Sequence, residues 1–152
     1  MGFDLDGLRT AVAAHGRVTR VVIAALKGSS PREVGAAMLV WEDGQSGTIG
    51  GGALEYEAAA RARALTQDRL SHHALGPELG QCCGGAVTLL SEVYDAARVG
   101  ALDPEVEARG PGEMPLAVAR LLAQARNGAA PLVLDPSVTG YTAHLTWVGA
   151  DV

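Results

Sequence analysis

The spacing of apolar residues predicts a helix at the start of the chain. Leu5, Leu8 and Val12 recur at intervals of three and four residues, which places them on one face of an amphipathic helix over residues 4–15. Gly16 follows the last apolar turn and can end this helix.

Strand patterns account for most of the next part of the chain. They fall at residues 18–26, 36–42, 46–49, 70–75 and 86–94. The first is a continuous, largely β-branched run, which is typical of a strand buried on both faces. Between the third and the fourth, a segment rich in alanine, glutamate and arginine predicts a helix over residues 53–65.

The composition changes after Asp95. Residues 99–113 contain two prolines and three glycines, and this predicts a linker. Residues 115–126 predict another helix, and residues 131–134 and 141–148 predict a further hairpin.

Together these elements predict a single α/β domain, a mixed β-sheet flanked by helices, with an α+β arrangement as the alternative. A chain of 152 residues can bury a core without the help of a metal or a disulfide. We divide it into residues 1–95, which carry the motifs discussed below, and residues 96–152, the linker, helix and hairpin, which show no Rossmann fingerprint.

Charge and hydropathy exclude several classes of protein. The net charge of −5 argues against general nucleic-acid binding, which requires a basic surface. The longest apolar runs, such as residues 21–26, are too short to span a bilayer, and the N-terminus lacks a signal-peptide pattern. The two cysteines are adjacent and form no disulfide framework, which fits a reducing cytosol. We expect a cytoplasmic protein that binds neither nucleic acid nor membrane.

The loop after the first predicted strand is the first candidate for ligand contact. It reads Gly28-Ser29-Ser30-Pro31-Arg32, so it offers two hydroxyls and a guanidinium to an anion. An ordinary turn is the alternative, and the loop alone favours it.

A triple glycine forms the second candidate loop. Gly50, Gly51 and Gly52 lie between a predicted strand and a predicted helix, and a helix N-terminus attracts phosphate and carboxylate groups. The spacing matches neither a dinucleotide-binding loop nor a Walker A loop. Glu55 falls in the first helical turn, where stabilisation of the helix N-terminus is a sufficient role for it.

The third candidate loop holds both cysteines. Cys82 and Cys83 are followed by Gly84 and Gly85, and a thiolate next to open backbone can bind a soft metal or attack an electrophile. A free cysteine buried beside a tight turn is the alternative. In an extended segment one thiol of the two faces a shared pocket, and we choose Cys83. The nearby His72-His73 pair matches no zinc-binding spacing.

Taken in order, these loops resemble one family. The matching segments are residues 28–32, 35–40, 47–55 and 76–85. They resemble the N-terminal domain of the XdhC/CoxI family, the accessory proteins of xanthine dehydrogenase, over about residues 7–95.

The resemblance implies a role in enzyme maturation within purine metabolism. Members of this family are described as chaperones that bind the molybdenum cofactor (molybdopterin) while it acquires a sulfido ligand from a cysteine desulfurase. They then help to insert it into the molybdenum subunit of apo-xanthine dehydrogenase. The implied cofactor-binding residues are Cys82, Cys83, Gly84, Gly85, Ser29, Ser30, Gly50, Gly51, Gly52 and Glu55. Cys83 is the implied contact to molybdenum, and the chain is expected to be a maturation factor rather than an enzyme.

The chain departs from the family in one respect. Longer members carry a second, Rossmann-type domain, which residues 96–152 do not resemble. Two functions from other classes therefore stay open. One is a small thiol, redox or sulfur-transfer enzyme that uses Cys82 and Cys83, and the other is a degenerate subunit-interaction domain. A homodimer also stays open as the assembly.

Overall fold

The computed structural model describes residues 5–28, 32–33, 35–75, 85–102, 107–109, 116, 119 and 144–146. Three helices have defined bounds: α1 (Leu5–His15), α2 (Gly52–Ala64) and α3 (Ala96–Ala101). Seven strands have defined bounds: β1 (Val18–Lys27), β2 (Ala37–Trp41), β3 (Gly44–Gly47), β4 (Arg69–Ala74), β5 (Ala86–Tyr94), β6 (Glu107–Arg109) and β7 (His144–Thr146).

A five-stranded sheet in the order β3-β2-β1-β5-β4 organises the chain, and all of its pairings are antiparallel. β1 is its centre, and the first seven residues of β1 are buried. The continuous apolar run that predicted this strand thus reflects burial on both faces. The combination of helices and strands in one region confirms the predicted fold class.

Helices cover both faces of the sheet. On one face α2 packs against alternate residues of β1, including Val21 and Ile23, and Leu54 of α2 belongs to the same core. On the other face α1 and α3 pack against Val18 and Tyr94. The alternation along β1 follows from the two-residue period of a strand.

The second face also holds a buried ion pair. Arg20 of β1 lies directly opposite Glu92 of β5, and its Nη1 donates to the Glu92 carboxylate at 3.1 Å. The Tyr94 hydroxyl donates to the other oxygen of Glu92 at 2.9 Å. Neither charged side chain is more than 4% exposed, so the two strands share a charged contact inside the core.

The elements predicted up to Tyr94 are confirmed, with bounds that differ by at most two residues. β3 begins at Gly44 rather than at residue 46, because Trp41 already pairs with Gly44 across a two-residue turn. Strand pairing therefore resumes immediately after Glu42-Asp43, as is usual for two-residue hairpins.

The prediction for the region after Asp95 is wrong for the linker. The predicted linker, 99–113, includes the end of α3 and all of β6. The described strand within 141–148 is β7, and it pairs in parallel with β6. Residues 131–134 and most of the predicted helix 115–126 lie outside the described residues. The division of the chain at residue 95 stays a prediction.

Candidate functional site

The first and third candidate loops meet at one end of the sheet. β1 ends at Lys27, which pairs with Ala86 at the start of β5. Gly28 follows Lys27, and Gly85 precedes Ala86. A Cβ placed on Gly28 would lie 3.1 Å from the Cα of Gly85. Gly28 also has a φ of +70°, so both backbone conformation and close approach favour glycine there.

Arg32 connects the first loop to the second. Its Nη1 donates to the carbonyl oxygen of Thr48 at 3.3 Å. Its other donors contact Glu33, with which it forms an ion pair at 3.2 Å. This guanidinium lowers the pKa of Glu33 to about 2. Described residues of all three loops therefore lie at the same end of the sheet.

The triple glycine makes a sharp corner before α2. Gly50, Gly51 and Gly52 have φ values of +126°, +77° and +69°, which L side chains rarely adopt. A Cβ on Gly51 would meet nothing within 4 Å. Backbone conformation explains the glycine at that position, and the space beside it is open to a ligand.

The Glu55 carboxylate holds this corner together. Its Oε1 accepts from the backbone N–H of Ile49 at 3.0 Å and of Gly51 at 3.1 Å. The hydroxyl of Thr48 donates to the same oxygen, and the Gln45 amide donates to Oε2 at 3.3 Å. Glu55 therefore stabilises the turn that enters α2, the structural role that the sequence also allowed.

These contacts limit which backbone amides can bind an anion. The N–H of Gly50 donates to the Thr48 hydroxyl at 3.0 Å, so the amides of residues 49, 50 and 51 are all engaged within the corner. Gly51 is the N-cap of α2 and provides no side-chain cap. The amides of Gly52, Ala53 and Leu54 are then the donors that the first turn of α2 presents.

The electrostatics at Glu55 favour a charged carboxylate. Partial burial raises its pKa, but the hydrogen bonds from Thr48, Ile49, Gly51 and Gln45 together outweigh that effect and lower the pKa. The charged Glu55 carboxylate repels other anions. An anionic ligand therefore has to bind beyond Gly51, away from this charge.

Several predicted site residues lie outside the described part of the chain. They are Ser29, Ser30, Cys82, Cys83 and Gly84. Of the predicted residues that the structure describes, Gly50, Gly51, Gly52 and Glu55 form the corner, and Gly85 lies against Gly28. The assignment of all ten to cofactor binding stays a prediction.

The histidine pair lies on β4 with local partners. His72 Nδ1 is 3.0 Å from the hydroxyl of Thr88, and His73 Nε2 is 2.8 Å from that of Ser71. Partial burial lowers the pKa of His73, and nearby Arg61 lowers it further. Within the described residues no group of three or more His, Cys, Asp or Glu side chains could hold a metal ion.

Sequence reasoning missed the structural importance of Thr48. The chain carries no capping-box spacing here, because Glu55 lies four residues after the N-cap rather than three. The contact between Arg32 and Thr48 spans 16 residues, so no local pattern indicates it. The clustering of glycines was the available signal.

The fold and the site define an α/β domain that presents three glycine-containing loops at one end of an antiparallel sheet. Residues 11–74 match the model of the XdhC and CoxI family. This match confirms, over that part of the chain, the resemblance that the motifs indicated.

A solved structure shares the fold. It is described as a xanthine dehydrogenase from Bacillus halodurans, and it aligns with a TM-score of 0.58 and 24% sequence identity. The alignment covers 84% of this chain and 36% of that chain. This chain thus spans little more than a third of the length of that structure. No curated protein gives a significant sequence match.

Proposed function

We propose that this chain binds the molybdenum cofactor at the three-loop end of its sheet and delivers it to an enzyme of the xanthine dehydrogenase type. The family match and the name of the structural neighbour support an association with such an enzyme. The observation that carries the proposal is the contact of Gly28 with Gly85 and of Arg32 with Thr48, which brings described parts of all three loops together.

The residues present fit such a cofactor in chemical type. A thiolate of Cys83, or of Cys82, is a soft ligand suited to molybdenum. The open space beside Gly51 lets a flat pterin approach the backbone. The first-turn amides of α2, beginning at Gly52, suit the terminal phosphate. The cofactor itself would supply the metal centre used by the client enzyme.

In this proposal the chain's own residues have separate tasks. Glu55 keeps the corner rigid, so that the α2 N-terminus is held ready without a ligand. Arg32 holds the end of the first loop against Thr48. Binding to a preformed site costs less conformational entropy than ordering loops around the ligand.

The partners belong to the same proposal. We propose the molybdenum subunit of an apo-xanthine dehydrogenase as the recipient and a cysteine desulfurase as the source of the sulfido ligand. The cytoplasm, where thiols stay reduced, is the proposed compartment. No helix in the part of the chain that the structure describes is long and apolar enough to cross a membrane.

Metal and pterin analysis of purified protein tests the proposal. The protein is expressed in a molybdate-fed host, and molybdenum and pterin are measured for the parent, Cys82→Ala and Cys83→Ala. We expect Cys83→Ala to lose most of the bound cofactor while its thermal unfolding stays unchanged. Arg9→Gln, which removes an exposed charge from α1, is the control and keeps the cofactor.

Two outcomes contradict it. Retention of cofactor by both cysteine variants removes the thiol role. Absence of molybdenum and pterin from the parent protein, with the fold intact, favours a subunit-interaction domain instead.

A further inference from the structure

A second concave site lies at the opposite end of the sheet. It is a cavity of about 280 Å³ lined by His15, Arg17, Thr19, Val40, Trp41, Glu42, Ala62 and Arg63. Thr19 is the second residue of β1 and Gly28 follows its end, so about 30 Å of extended chain separates this cavity from the three loops. Nothing in the proposed cofactor site uses these residues.

An aromatic stack forms part of the cavity wall. The rings of His15 and Trp41 lie parallel, with centroids 4.0 Å apart and an interplanar angle of 6°. His15 belongs to α1 and Trp41 to β2, so the stack connects two elements of the fold. A planar aromatic ring of a ligand can pack against such a stack, with favourable dispersion and quadrupole contacts.

A positioned guanidinium lies next to this stack. Arg63 Nε donates to the Trp41 carbonyl at 3.0 Å, and Nη2 donates to the Gly44 carbonyl at 3.5 Å. These bonds restrain the plane of the guanidinium, and Nη1 has no hydrogen bond to another residue in the described part of the chain. Arg17 adds a second, exposed guanidinium to the lining.

Hydrogen bonds satisfy one terminal carbonyl of each helix that ends near the cavity. The ends of α1 and α2 lie here, and helix C-termini carry partial negative charge. However, the carbonyl of Val12 accepts from Gly16 N–H at 2.7 Å, and that of Ala62 accepts from the Thr19 hydroxyl at 3.2 Å. Glu42 is the one carboxylate among the lining residues, against two guanidinium groups.

We propose that this cavity binds a small aromatic anion, a planar ring that carries one carboxylate or phosphate group. The ring lies against the His15–Trp41 stack, and Arg63 and Arg17 hold the oxyanion. A volume of about 280 Å³ suits a fragment-sized ligand, because pockets for drug-sized ligands begin at about 300 Å³. The inference does not depend on the proposed cofactor function.

NMR titration of the full chain tests the proposal. The reporter is the indole N–H of Trp41, assigned by comparison with Trp147→Phe, since the chain has two tryptophans. The probes are benzoate, phenyl phosphate, acetate and neutral benzamide. We expect saturable shifts with benzoate, phenyl phosphate or both, with a Kd of about 1 mM, and much weaker responses to acetate and benzamide.

Substitutions of the arginines complete the test. Arg17→Gln and Arg63→Gln should each weaken binding roughly tenfold or more, since a hydrogen bond to a charged group is worth about 1.5–3 kcal/mol and about 1.4 kcal/mol is tenfold in Kd. Arg61→Gln removes the same charge from the same helix outside the lining and should leave the Kd unchanged. Arg17 is exposed, so its variant stays informative if Arg63→Gln unfolds.

Three results overturn the proposal. The first is the absence of a saturable shift with either aromatic anion. The second is an equal response to benzamide, which would leave no role for the charge. The third is an unchanged Kd in the folded Arg17→Gln variant and in a folded Arg63→Gln variant.

Discussion

Glu55 shows how a single side chain can support a site without contacting its ligand. Its carboxylate accepts hydrogen bonds from two backbone amides and two side chains around the glycine corner. Glycines at positive φ lose much conformational freedom on folding, and the Glu55 contacts offset part of that cost. The residue therefore belongs to the frame of the proposed cofactor site.

The lowered pKa of Glu55 makes this contribution pH-dependent. Its pKa in the folded protein lies below the unfolded value of about 4.3. The contribution is therefore fully present above the unfolded pKa and is lost as the pH falls through the folded pKa. We expect Glu55→Gln to lower the free energy of unfolding by about 1 kcal/mol at pH 7 and by progressively less below pH of about 4.

Urea unfolding at several pH values measures this difference. Glu57→Gln serves as the matched control, because Glu57 is an acid on the same helix. Its carboxylate accepts no hydrogen bond from the residues that the structure describes. A destabilisation by Glu55→Gln that stays constant from neutral to acidic pH would contradict the charged role of Glu55.

At the scale of elements, the central strands are joined by the buried pair between Arg20 and Glu92. Replacing one member of such a pair leaves the other charge in the core, which costs about 3–5 kcal/mol. We expect Glu92→Leu to lower the free energy of unfolding by that amount. The double variant Arg20→Met/Glu92→Leu should regain a large part of it, because no buried charge is left.

Chemical denaturation of the parent, the two single variants and the double variant forms the required cycle. The exposed pair between Arg32 and Glu33 provides a comparison, since solvent screens it and its loss should cost far less. If the double variant is as unstable as the sum of the single variants, the two charges are not coupled in the folded protein.

The elements differ in how far sequence could predict them. β1 and α2 were predictable because an apolar run and a run of strong helix formers are local signals. α3 was missed because it is short and depends on particular contacts. Asp95 caps it through the Arg98 N–H at 2.8 Å, and the Arg98 guanidinium binds Asp68 at 2.6 Å, 30 residues away. Contacts of that separation leave no periodic pattern.

The candidate site was predictable to a different extent. Glycine clusters and family motifs indicated which loops matter, because positive φ and close approach require glycine whatever the surroundings. The contacts of Arg32 with Thr48 and of Glu55 with Gln45 depend on how the sheet and α2 pack, so sequence alone could not give them. The packing decides which amides stay available to a ligand.

At the scale of the whole molecule, the antiparallel sheet separates two regions, the three loops and the cavity. The loops after β1 and β3 lie at one end, and the cavity beside His15 and Arg63 lies at the other. A stable sheet centre can hold both regions in place while the edge strands open locally. Substitutions in one region are then expected to leave ligand binding in the other unchanged.

The strand order predicts a gradient of local stability across the sheet. β1 and β5 each pair with a strand on both sides, whereas β3 and β4 are its edges. Amides in the central strands should therefore exchange through near-global unfolding, and those of β4 should exchange faster through local opening, by roughly tenfold or more.

Native-state hydrogen exchange by NMR at low denaturant measures both rates in one experiment. Leu89 and Leu90 of β5 report on the centre, and their partners Ser71 and Leu70 of β4 report on the edge. Equal protection at these paired positions would mean that the five strands open as one unit, and the sheet would then have no centre more stable than its edges.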